Sequence, residues 1–275
     1  ALDFGTYQNP VALPKIRLGG QLCRVGTAEA ADGGTGKAPG TVLSVTEETL
    51  ELATSTGAIR LSEIADLAGH AIAPARHLAV GDMVPSPDPA EVAAMDAALS
   101  SVSGAEAQWR ERISRAAPVG LRLAARAQPG TEDGASREVA LEVGQTPHRL
   151  AAVAAWALSS DGAQAGDIAY ADARIDGAGH GLVAPFVPVS ARLTDSLATA
   201  SAAIVGTRAQ LDRAPGIAAD LALRIPGADP QVPAIGVVEG GAARRIPGTA
   251  VTAWFGDTRS ALLFDPARLD EAAAA

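Results

Sequence analysis

The sequence predicts an α+β fold in two parts: a small open β-barrel, then a lobe in which helices pack on one mixed sheet. Three observations predict it. Short β-branched runs punctuated by glycine fill the first 85 residues, three prolines fall within "VPSPDPAE" (84–91), and helical and strand patterns alternate from residue 92 onward. Of 275 residues 48% are hydrophobic but only 3% aromatic, so both cores must be built from Ala, Leu, Val and Ile.

In the first part, "LPKIRLGGQLCRVG" places apolar residues at Ile16, Leu18, Leu22 and Val25 around Gly19-Gly20, the dipeptide of a tight hairpin. "ADGGTGKAPG" is a loop by composition, and "TVLSV", "TLELAT" and "GAIRLSEI" follow as strands. Leu50 and Leu52 alternate with polar neighbours, as a half-buried strand requires. Short strands at this spacing predict a small open barrel over residues 1–85.

Residues 86–104 are expected to be a linker and helix. Asp88 can cap that helix, with Pro89 at its first position, where the missing N–H costs nothing. Ser103 and Gly104 should split the helical stretch 91–116 in two. Over residues 105–275, "REVALEV" reads as a strand. "TPHRLAAVAAWALSS" reads as a helix opened by Thr146 and Pro147, with His148 in its first turn. "GDIAYAD" is a further strand, and Pro185 and Pro188 make "LVAPFVPVSARL" an irregular or edge segment, because proline cannot donate to a ladder. A helix opened by Asp195 and the strands "VPAIGVVE", "TAVTAWF" and "SALLF" complete the lobe, the last two joined by a turn at 256–258.

The net charge is −9, and residues 1–85 carry six Lys/Arg against nine Asp/Glu. Neither part has the basic field that a phosphate backbone demands, which excludes nucleic acid as the expected partner. Cys23 is the only cysteine, so no disulfide forms within the chain and no cysteine-based zinc site exists. With no apolar run of membrane-spanning length, the expectation is a cytoplasmic chain in a reducing compartment. Its abrupt opening on "ALDFGTYQNP", and two lysines against twenty arginines, suggest a piece of a longer bacterial polypeptide.

Few residues carry chemistry. "GGTGKAPG" (33–40) lacks both the leading glycine and the Ser or Thr after lysine of a phosphate-binding loop, with Ala31 and Ala38 in those places. His70 and His77, near Glu63 and Asp66, read as a solvated turn rather than a metal site, and no cofactor or metal is expected. Cys23 reads as a buried barrel thiol. Trp156 and Trp254 read as core anchors, whereas Trp109 with Arg110 and Arg112 marks a possible docking surface for a neighbouring domain. His180, in "GAGHGLVAPFVPV" (177–189), is the one candidate for an acid–base role or a place on a substrate face.

Two partial resemblances emerge from these motifs. "APGTVLSV" (38–45), then "LELAT" and "GAIRLSEI", resembles the C-terminal subdomain of formyltransferases of the methionyl-tRNA formyltransferase type. That resemblance covers about residues 1–85 and implies an open barrel without chemistry of its own. "AQWRERISRAAP", "TPHRLAAVAAWALS", "GDIAYADARIDGAGHGLVAPFVPVSARL" and "SALLFDPARLDEAA" together resemble the C-terminal lobe of nonribosomal peptide synthetase condensation domains over residues 105–272. This second resemblance implies half of a chloramphenicol-acetyltransferase-like fold. The asparagine of the family's "fvNtlP" stretch is Pro185 here, and no His-His-x-x-x-Asp-Gly motif occurs in the chain.

Together the resemblances imply a non-catalytic scaffold within a multidomain synthetase. It would position a formyltransferase-like domain and an adenylation and carrier module, with phosphopantetheine-carried substrates in the parent enzyme. The alternative is a degenerate condensation-type acyltransferase lobe that binds a carrier-attached acyl group.

Overall fold

The structure, a computed structural model, describes residues 2–3, 9, 11–33, 36–122, 136–142, 148–175, 181–193, 196, 201, 209, 211–213, 216–227 and 231–269. The chain divides into two units, residues 1–97 and 98–275. The division falls inside the 86–104 stretch expected to separate the two parts.

The first unit is a six-stranded antiparallel sheet. Its strands are β1 (Leu2–Asp3), β2 (Lys15–Leu18), β3 (Gln21–Ala31), β4 (Val42–Val45), β5 (Thr49–Ala53) and β6 (Ala58–Asp66). They run β1-β3-β6-β5-β4, with β2 beside β3, and no ladder closes this path among the described residues. Gly19 and Gly20 turn the β2–β3 hairpin at φ +56° and +86°, a geometry that L-residues with a side chain resist. Leu18, Cys23, Val25, Val42, Leu50, Leu52 and Ile64 form the core, so the alternation in "TLELAT" does mark the buried face of β5. Burial pushes the Cys23 thiol up from its ordinary value, outweighing its hydrogen bond to the Gln21 carbonyl.

Helix α1 (Pro89–Ser103) begins where the proline predicts, and Asp88 Oδ1 accepts from the Ala90 N–H at 2.9 Å. Within the first unit its Glu91 pairs with Arg17 of β2. Helix α2 (Glu106–Ile113) follows the break at Gly104.

The second unit is built on a mixed sheet. Its strands are β7 (Arg137–Leu141), β8 (Ala165–Asp172), β9 (Val187–Arg192), β10 (Ile235–Glu239), β11 (Val251–Phe255) and β12 (Ser260–Phe264), in the order β7-β12-β11-β10-β8-β9. Strands β8, β10 and β11 are parallel, and the remaining pairs are antiparallel. Strand β11 is buried along its whole length and β10 over all but Glu239, as central parallel strands must be. Pro188 lies on β9 at the sheet's edge, where its missing N–H is tolerated.

Helix α3 (Arg149–Asp161) packs over β8, β9 and β10. Its buried face is Leu150, Ala151, Ala154, Ala157 and Leu158, at the spacing of one helical stripe. The three alanines let the helix approach the sheet closely. His148 is the N-cap rather than a first-turn residue, and Gly162 ends the helix in the left-handed region at φ +74°. The expected capping residues Thr146 and Pro147, and most of the helix expected from Asp195, lie outside the described residues.

Candidate functional site

The side of α3 that is not packed onto β8 and β9 presents His148, Arg149, Ala152, Val153 and Trp156. Opposite stand Ile235 of β10, Val251, Ala253 and Phe255 of β11, Leu262 of β12 and Leu141 of β7. Ala152 on the helix and Ala253 on the sheet put only a methyl group each into the wall of this gap. They leave a half-open cavity of about 430 Å³, within the range of small-molecule sites. Trp156 is 44% exposed at its rim, so this ring is not the core anchor that its alanine-rich context suggested. Trp254 points to the other face of β11, is 6% exposed, and donates its indole N–H to the Gly240 carbonyl.

At the carboxyl ends of the parallel strands the cavity gives way to a polar network. Tyr170 of β8 is fully buried. Its single hydroxyl proton goes to Glu239 Oε2 at 2.8 Å, the shorter of two contacts, with Asp172 Oδ2 at 3.3 Å. Arg149 donates to Glu239 Oε1 at 3.2 Å, and its guanidinium lies 5.0 Å from the Phe255 ring centre. Asp172 also binds Arg174, which reaches Asp212 at 2.6 Å. Burial works to raise the Asp172 carboxyl, but hydrogen bonds from the Arg174 side chain and backbone outweigh it and hold the group below its ordinary value. Carboxyl ends of parallel strands are where open α/β sheets commonly bind ligands. Tyr170, Asp172 and Arg174 are neighbours in the chain, but their union with the distant Glu239 is not legible in sequence, because it arises only through the β8–β10 register, in which Val237 stands beside Tyr170 and Glu239 beside Asp172.

The opposite face of the sheet carries a second polar knot. Asp167 of β8 accepts from the Arg112 guanidinium at 3.2 Å, from Ser190 of β9 and from the Ala117 N–H at 2.7 Å. Arg112 also donates to Ser190 Oγ at 2.7 Å. Burial lowers the Arg112 pKa from its ordinary value, against the opposing pull of Asp167. Beside this knot lies a cavity of about 230 Å³ with Ile113, Pro118, Phe186, Pro188 and Ala219 in its wall.

The three residues of the expected docking patch therefore do not share one surface. Trp109 is 1% exposed in the core, and Arg112 is drawn inward to Asp167. Only Arg110 is exposed, paired with Glu106 one turn back. Glu106 is held below the ordinary carboxylate range by the Arg224 guanidinium, whose nitrogens approach it at 2.6 and 3.1 Å.

His180 lies outside the described residues. His70 Nδ1 meets Asp66 Oδ2 at 2.9 Å across a turn, while His77 stands against Gly19. Among the described residues no cluster of three His, Cys, Asp or Glu side chains could hold a metal ion. No helix among them is long and apolar enough to cross a membrane.

This architecture is that of a condensation-domain-like fold. The first condensation domain of the CDA synthetase is similar to the chain at TM-score 0.50 and 13% identity, over 83% of this chain and 64% of that one. The first condensation domain of the calcium-dependent antibiotic synthetase, in complex with a substrate analogue, gives 0.49 and 14% over 83% and 66%. The starter condensation domain of rhizomide synthetase gives 0.44 and 12% over 65% and 50%. The chain thus spans about half to two thirds of the structures it matches. No family model and no curated protein matches it.

Proposed function

We propose that the chain is a condensation-type lobe that binds an acyl group carried on phosphopantetheine. The observation that carries this reading is the condensation-domain-like fold with an apolar cavity beside α3. An acyl chain gains roughly 0.8 kcal/mol for each methylene removed from water, so such a cavity rewards alkyl length. The 275 residues hold no His-His-x-x-x-Asp-Gly motif, and proton transfer to or from an attacking amine is assigned to residues elsewhere in the parent enzyme. For residues 1–85 the formyltransferase-type reading rests on the motif carried by β4 to β6. The adenylation, carrier and formyltransferase-like neighbours are proposed on the sequence resemblances alone.

Calorimetric titration of the chain with pantetheine, butanoyl-pantetheine and octanoyl-pantetheine tests this function. Affinity should rise with alkyl length, with the thioester intact at the end. Equal affinity for all three would refute it.

A further inference from the structure

The α3 cavity has two unlike ends. Helix α3 enters at His148 and Arg149, beside Phe255 at the carboxyl end of β11. Eight residues later Trp156 lines the same cavity, as do Ile235 and Val251, the first residues of β10 and β11. A helix rises 1.5 Å per residue, so the cavity runs about 12 Å from its polar end to its apolar end. Among the described residues, every one that lines the cavity except His148 and Arg149 is apolar, and those two are basic. The positive end of the α3 macrodipole lies at the same end. Among the described residues no carboxylate lines the cavity, and Glu239 is turned into its contacts with Tyr170 and Arg149.

From this polarity we infer that the α3 cavity is the seat of the acyl chain, within one lobe and on one face of its sheet. The alkyl tail lies between Ala152 and Ala253 and ends under Trp156. The carbonyl or carboxylate oxygens lie at His148 and Arg149, whose N–H groups can donate hydrogen bonds to them. A linear acyl group of medium length fits this path, and an amine head group does not. The inference rests on the acyl-binding reading above. It adds the position and direction of the chain, and sets this cavity apart from the smaller one on the opposite face.

The test titrates the full chain with octanoyl-pantetheine and separately with octanoate, reading heat and tryptophan emission. Saturation by octanoyl-pantetheine should shift emission to the blue, and W156F should abolish the shift. Ala253→Phe fills the cavity from its buried floor. Ala152→Phe does so from an exposed helical position that does not threaten folding. Each should raise the Kd about tenfold or more, equivalent to about 1.4 kcal/mol, while Ala219→Phe in the opposite cavity leaves it unchanged. Octanoyl-pantetheine binding unaffected by Ala152→Phe, or lost instead in Ala219→Phe, overturns the placement. No saturable heat with either probe overturns the acyl-binding function itself. Octanoate binding as tightly as octanoyl-pantetheine, and equally sensitive to Ala152→Phe, upholds the cavity and assigns it to free fatty acids rather than a carrier.

Discussion

The hydroxyl of Tyr170 donates to Glu239 at 2.8 Å, joining the carboxyl ends of two adjacent parallel strands inside the second unit. Glu239 is also held by Arg149, so one carboxylate fixes both the β8–β10 pair and the start of α3. Removing one partner, and separately the carboxylate itself, should reveal unequal costs.

Tyr170→Phe leaves Glu239 its arginine and should cost about 1 kcal/mol in urea unfolding. Glu239→Ala removes the carboxylate that pairs with a largely buried guanidinium and should cost about 3 kcal/mol. Equal losses would mean that the carboxylate is not the shared anchor.

The Arg112–Asp167–Ser190 knot predicts strong coupling on the other face. Asp167→Ala leaves Arg112 buried without its counter-charge and should cost about 3 kcal/mol. Ser190→Ala should cost about 1 kcal/mol, and the double variant should be no less stable than Asp167→Ala by more than a few tenths. Full additivity of the two losses would show that the three groups do not act together.

Acid stability follows from Asp172 and Glu106. Both carboxyls are depressed in the folded chain, so their contribution is complete above their ordinary values of 3.8 and 4.5 and is lost as pH falls through the lower folded values. Unfolding free energy measured from about pH 6 to about pH 2 should fall less steeply at the acid end in D172N and E106Q than in the parent chain. An unchanged slope in both variants contradicts the assignment.

Gly162→Ala tests the end of α3. The backbone there sits at φ +74°, and an added Cβ meets the Arg122 guanidinium at 2.4 Å. That flexible side chain can move, so backbone strain dominates and the loss should be about 1 kcal/mol by thermal unfolding, with Gly162→Asn less costly.

Where local chemistry decides the structure, it was legible in sequence. Gly19-Gly20, the Asp88-Pro89 helix start and the near-continuous apolar runs of β10 and β11 each act within a few residues. What the sequence concealed depends on register. Trp156 reads as core until α3 is seen to turn that side toward Ala253, a residue too small to cover it. Tyr170 and Glu239 carry no shared motif, and only parallel pairing unites them. Trp109 and Arg112 looked like a surface because a short helix with alternating charge leaves its inward side undefined until the sheet supplies Asp167.

An acyl chain seated between α3 and strands β10 and β11 should be visible in a crystal structure of the chain grown with saturating octanoyl-pantetheine. Alkyl density is expected between Ala152 and Ala253, ending at Trp156, with the thioester carbonyl at His148 and Arg149. Density for the alkyl chain on the Asp167 face of the sheet, or at His180, would contradict it.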